Sequence, residues 1–174
     1  KAINFGLAYG MGPVALAQRL GVAESEARDL MDVHFETFPR IRGFLEDSAR
    51  QSLRVGYGET LAGRKLWFTD MRRDGRDEGT LTRIAKNMPI QGTNADITKM
   101  ALARIVRAFH REGLDAKIVN MVHDEIVVEA AREAGEAVAA VVTREMRAAG
   151  GELLRNTPME VDVFVSPNWM KAAP

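Results

Sequence analysis

The sequence predicts an α+β fold: a mostly helical first half, then an antiparallel β-hairpin packed on helices and followed by a further C-terminal strand. Three observations carry that prediction. Apolar residues recur at three- and four-residue spacing through most of 13–55 and 93–112, as helices with one buried face require. Val119-Asn120-Met121-Val122 and Ile126-Val127-Val128 flank a polar triplet, His123-Asp124-Glu125, as two strands flank a tight turn. Met159, Val161, Val163 and Val165 alternate with Glu160, Asp162 and Phe164, the pattern of a half-buried strand. Helices and antiparallel strands in separate runs give α+β rather than a parallel α/β sheet.

At 174 residues the chain can bury one good core, or a larger domain with a smaller lobe. Its 46% hydrophobic and 28% charged residues are ordinary for a globular protein. The formal net charge is zero, so no global field draws the chain onto nucleic acid, and any such binding rests on local patches. The absence of cysteine excludes disulfides, thiolate zinc sites and cysteine nucleophiles. No apolar run approaches the length of a membrane span and no signal-peptide pattern opens the sequence, so an intracellular, cytoplasmic location is expected. The chain opens at Lys1 inside what reads as a helix, which gives the expectation of a segment cut from a longer protein.

Lys1, Phe5 and Tyr9 are spaced along one helix face. A lysine, a ring and a phenol in one row can bind phosphate and stack on a sugar or base. Equally, Phe5 can be core and Lys1 a solvated end. Gly10, Gly12 and Pro13 close that helix, and Pro13 suits the first turn of the next, which Gly21 ends. Glu24 to about Phe38 reads as a helix burying Ala27, Leu30, Met31, His34 and Phe35, with His34 a core or boundary histidine rather than a ligand. Pro39 starts another, with Ile41, Phe44, Leu45 and Ser48 inward, until Gly56-Tyr57-Gly58 breaks it. Residues 59–68 read as a small hairpin with a basic tip.

Between Arg64 and Lys86 there are seven basic and four acidic side chains. They are a solvated loop or a contact with a phosphate backbone. Residues 70–79 read as a surface loop. A helix resumes at Thr80, Pro89 interrupts it, and Gly92-Thr93 caps a long helix to Glu112 with Asp96 in its first turn. Arg83, Asn87 and Gln91 recur every four residues across the break. That row suits hydrogen bonding in a nucleic-acid minor groove, or an ordinary polar helix exterior. Residues 116–122 and 125–129 form the hairpin, and Arg132 to about Ala149 is a helix burying Val138, Val141, Val142 and Met146. A carboxylate at a hairpin tip is rigidly aimed, which suits a divalent metal; polar residues are also what turns commonly hold.

Three separated blocks then match one family. They are Lys1…Phe5…Tyr9-Gly10; Arg83-Ile84-Ala85-Lys86-Asn87-Met88-Pro89-Ile90-Gln91-Gly92-Thr93 followed by Ala95-Asp96; and Val122-His123-Asp124-Glu125. In this order and spacing, joined by Glu59-Thr60-Leu61…Gly63-Arg64, they resemble the C-terminal part of the polymerase domain of A-family DNA polymerases, the DNA polymerase I type. Each block alone is weak; the three together cover essentially the whole chain.

The resemblance implies roles residue by residue. Lys1 would contact the phosphates of an incoming dNTP and serve catalysis as charge develops. Phe5 would pack on its sugar and base, and a Phe here implies discrimination against dideoxynucleotides. Tyr9, with Gly10, would lie at the insertion site by the template. Arg83, Asn87 and Gln91 would line the minor groove of the primer–template, and His123 would approach the primer end. Asp124 would bind two divalent metals, taken as Mg2+, with Glu125 in support.

The same resemblance implies that residues 1–80 are a fingers segment and 81–174 the C-terminal half of the palm. A two-metal site needs at least two bridging carboxylates, and the family's other aspartate belongs to a motif upstream of Lys1. The isolated chain is therefore expected to be inactive without the remainder of its parent. Two rivals stand beside this reading: a single-subunit RNA polymerase, which has Ser where this chain has Glu125, and a non-catalytic DNA-binding remnant.

Overall fold

The computed structural model describes Gly6, Leu7 and residues 10–169. Contacts divide the chain into two compact units, Lys1–Thr93 and Asn94–Pro174.

In the first unit, α1 (Pro13–Leu20) starts on its proline and ends at Gly21, whose φ of 70° is the left-handed value that stops a helix. It packs on α2 (Glu24–Thr37) through Leu16, Ala17 and Ala27. The burial expected along α2 is shallower than its periodicity suggested. Ala27 is buried, while Leu30, Met31, His34 and Phe35 are half-buried. His34 lies against Phe35 and Phe38, with ring centroids 5.5 and 5.1 Å away, as a boundary histidine does.

The next helix, α3 (Pro39–Val55), buries Leu45, Ala49 and Ser52. Ile41 and Phe44, expected inward, are 41% and 49% exposed. The buried row starts a turn later because the partner of α3 is α5 (Glu78–Asn87), which offers Leu81 and Ala85 to Ala49. Strands β1 (Tyr57–Glu59) and β2 (Lys65–Trp67) form the small antiparallel hairpin, with Tyr57 opposite Trp67. Phe68 is fully buried and opens α4 (Phe68–Arg73), so part of the expected surface loop is helical. The next helix, α5, begins at Glu78 rather than Thr80, because the Asp77 side chain accepts the Thr80 N–H at 2.6 Å and caps it.

Pro89 does not break the chain. Met88–Gly92 is a π turn that leads directly to Thr93, the first residue of α6 (Thr93–Glu112). A widened turn accommodates a proline that has no N–H to give, and such turns concentrate where function needs an altered side-chain direction.

The second unit is built on α6 and α7 (Gly135–Leu153), reached through a short 3-10 turn at Arg132–Ala134. Ile97, Ala101 and Ile105 of α6 meet Val138, Val141 and Met146 of α7. Strands β3 (Ala116–Val122) and β4 (Glu125–Ala130) pair antiparallel, and Ala116, Ile118, Ile126 and Val128 pack on that core. The register slips between Ile118 and Asn120, leaving Val119 as a bulge. Beyond it the strand leaves the core: Val119, Met121 and Val122 are exposed.

The helix α7 runs through Gly150-Gly151, where an end was expected. Gly150 serves packing instead, since a Cβ there would overlap the Met159 side chain. The strand expected over Met159–Val165 forms no ladder. Its alternation reports burial, with Met159 and Val161 against the core, but neither hairpin strand pairs with it. No helix among the described residues is long and apolar enough to cross a membrane.

Candidate functional site

The predicted site residues fall into two groups, one in each unit. In the first unit, Gly10 ends a helical turn with a φ of 70°, its N–H on the Leu7 carbonyl at 3.0 Å. A Cβ on Gly10 would lie 3.9 Å from Arg83 Cα, Arg83 Cγ and Asn87 Nδ2. The structure therefore brings Gly10 onto the α5 face that carries Arg83 and Asn87, a contact the sequence spacing could not reveal. Lys1, Phe5 and Tyr9, the candidate nucleotide-binding row, lie outside the described residues.

Arg83 is held rather than loose. Its Nη2 donates to Thr80 Oγ1 at 2.8 Å, and the Thr80 N–H caps onto Asp77. The Thr80 N–H and hydroxyl hold the Asp77 carboxyl below its usual range. Gln91 follows on the π turn, so the row of three polar residues is carried by α5 and by a wider turn after it. That turn is clamped by the loop of the small hairpin. Arg64 Nη2 donates to the Gly92 carbonyl at 3.0 Å, and the Leu61 N–H donates to Thr93 Oγ1 at 2.9 Å. The last carbonyl of the π turn and an N–H of the hairpin loop thus each gain a partner. Sequence reading gave Arg64 only a passing place, because a side chain reaching a carbonyl 28 residues away leaves no local signature.

Other basic residues of the Arg64–Lys86 stretch have local partners: Arg72 pairs with Glu78 at 3.0 Å, and Lys65 Nζ sits 4.4 Å from the centroid of Tyr57.

In the second unit, Val122 pairs with Glu125, so His123 and Asp124 are the two central residues of a minimal turn. His123 has a φ of 56° and is the non-glycine residue with positive φ among the described residues. Positive φ at the first central residue alone is the pattern of a II′ turn, whose usual occupant is glycine. A side chain there costs about 1–3 kcal/mol and persists where the surroundings enforce it, commonly at functional sites. His123 and Asp124 are exposed, and Glu125 is half-buried. Glu125 Oε1 accepts the Trp169 indole N–H at 2.9 Å. Sequence reading missed Trp169; its signal was a tryptophan following the turn-forming Ser166-Pro167-Asn168.

The donors Asp124 and Glu125 are hard carboxylate oxygens, which suit Mg2+. They fit part of a metal centre. Among the described residues no three His, Cys, Asp or Glu side chains converge to hold an ion. Elsewhere in this unit, α6 and α7 are tied by a charge cluster that the sequence did not reveal. The buried Glu145 accepts from Arg104 Nε at 3.1 Å and Arg144 Nε at 3.0 Å, while Arg144 also reaches Glu112 at 2.6 Å. Burial pushes the Glu145 carboxyl up, but Arg144 and Arg104 outweigh it and hold it below the usual carboxylate range.

The family model described as DNA polymerase family A matches residues 1–171. The chain is 36% identical over its whole length to DNA polymerase I of Chloroflexus aurantiacus, covering 18% of that protein. It is 37% identical over 99% of its length to the thermostable DNA polymerase I of Thermus aquaticus, covering 20% of it. Among solved structures, the POL domain of Pol1 from M. smegmatis, in complex with DNA primer-template and dNTP, superposes with a TM-score of 0.76. There the identity is 33%, over 86% of this chain and 26% of the other. The chain belongs to DNA polymerase family A. It spans about a fifth of the length of the curated relatives.

Proposed function

We propose that the chain is the C-terminal part of the polymerase domain of a template-directed DNA polymerase, with 1–80 in the fingers and 81–174 in the palm. The observation that carries this reading is the His123-Asp124-Glu125 tip. A two-residue turn with enforced positive φ sets it at the end of a paired hairpin, in a chain of this family. In the reaction, the primer 3′ oxygen attacks the α-phosphorus of a dNTP while the bond to pyrophosphate breaks. Divalent cations, when bound, lower the pKa of that hydroxyl and offset the charge on the leaving group.

Asp124 is the residue we assign to hold the cations, with Glu125 in support and His123 toward the primer end. Lys1 and Phe5 take the triphosphate and sugar, and Tyr9 the template side with Gly10. Arg83, Asn87 and Gln91 hydrogen-bond the minor groove of the primer–template. The packing of Gly10 on Arg83 and Asn87 supports that grouping, and the M. smegmatis complex with primer-template and dNTP supports those ligands. The isolated chain is inactive in this reading, because Asp124 and Glu125 need a further bridging carboxylate from the rest of the parent. A cytoplasmic location accords with the bacterial relatives.

Primer extension with Mg2+ tests the reading. Asp124→Ala in the full-length polymerase is expected to lower incorporation by at least a hundredfold, and residues 1–174 alone to extend nothing. Full activity of Asp124→Ala, or a preference for rNTPs over dNTPs, would reject it.

A further inference from the structure

Trp169 and Glu125 are 44 residues apart, yet the indole Nε1–H donates to Glu125 Oε1 at 2.9 Å. The donor comes from a turn that holds itself. Ser166 Oγ donates to the Asn168 carbonyl at 2.7 Å and accepts the Asn168 N–H at 3.4 Å. Pro167 between them has a fixed φ. Trp169 is 56% exposed, so burial of its ring is a minor reason for its place, and the hydrogen bond is the directional contact. An indole N–H has one donor and no acceptor; it can hold an oxygen but cannot itself take a metal. The oxygen it holds belongs to the residue directly after Asp124, at the first position of β4.

We propose that Trp169 is a positioning residue for the hairpin tip. It fixes the rotamer of the Glu125 carboxylate beside Asp124, so that the tip meets a divalent cation already ordered. This rests on reading Asp124 and Glu125 as metal-site carboxylates. Trp169 thereby acts on the reaction through Glu125. Its loss raises the Mg2+ requirement rather than weakening dNTP binding.

Two measurements test it. The chain has two tryptophans, so Trp67→Phe assigns the Trp169 indole signal in a proton–nitrogen NMR spectrum of residues 1–174. Glu125→Ala is expected to move that signal upfield, as loss of a carboxylate acceptor does; an unmoved signal overturns the proposal. In the full-length polymerase, Trp169→Phe keeps a ring and removes the donor. It is expected to raise the Mg2+ concentration for half-maximal extension several-fold, with the KM for dNTP within twofold, and to add nothing when Glu125→Gln is already present. If Asp124→Ala abolishes extension but Trp169→Phe leaves the Mg2+ midpoint unchanged, positioning by Trp169 is wrong and the metal-site reading stands. If Asp124→Ala remains active, the metal-site reading fails, and this proposal with it.

Discussion

The Thr60 methyl occupies the space that any side chain at position 92 would need: a Cβ on Gly92 would lie 2.6 Å from Thr60 Cγ2. Gly92 closes the π turn, and its carbonyl takes the Arg64 guanidinium. The small hairpin and the π turn therefore fit only as a pair.

Gly92→Ala is expected to destabilise the first unit by about 1–3 kcal/mol, the usual cost of overpacking. Thr60→Ser removes the offending methyl and keeps the hydroxyl that accepts the Arg64 N–H at 3.2 Å. Added to Gly92→Ala, it should recover part of the loss. Urea unfolding midpoints of the two single variants and the double variant measure the coupling.

Glu145 links stability to pH. Its carboxyl and that of Glu112 lie below their ordinary value of 4.5 in the folded chain. Their contribution is therefore fully present above about 4.5 and is lost as pH falls through the lower folded values. Unfolding midpoints taken from neutral pH down to about 3 should fall, and Glu145→Gln should flatten that fall. At neutral pH the same variant should cost about 1–3 kcal/mol, between an exposed and a fully buried pair, since its arginine partners remain substantially exposed.

His123 separates conformation from chemistry. His123→Val, β-branched at a positive φ, should lower hairpin stability by about 1–3 kcal/mol, whereas His123→Gly should raise it by about 1 kcal/mol, the relieved strain less the extra entropy that glycine loses. Amide hydrogen exchange at Met121 and Ile126 reads the hairpin directly. Both variants should slow primer extension in the full-length polymerase if the imidazole serves the primer end.

Helices with a clear apolar row were legible because burial writes a period into the sequence. Val138, Val141, Val142 and Met146 of α7 are all buried as expected. The hairpin at 116–130 was legible because its turn is minimal and its flanks are β-branched. Ile41 and Phe44 misled, since apolarity does not say which partner helix covers which turn. Pro89 misled because its missing N–H can be absorbed by a widened turn as well as by a break. Met159–Val165 misled because alternation records which side is buried, and a ladder needs an edge that no residue in the segment announces. At the site, His123-Asp124-Glu125 and Arg83, Asn87 and Gln91 stood out by type and spacing. Their supports were silent: Trp169, Arg64, Thr80 and the Glu145 cluster act through contacts that only the fold creates.

The bulge at Val119 has a bearing on what changes this region can absorb. It adds one residue to β3 between the core-packed base and the exposed tip. Beyond it Asn120 pairs with Val127, next to Val128 on an unbroken β4, so β4 sets the face of every residue from Asn120 to the turn. Deleting Val119 would leave those pairs in register and remove only the local bend and added twist that a bulge gives a strand. Strand β3 can therefore give up a residue at this point and keep Asp124 on its face, whereas β4 holds no spare residue to lose.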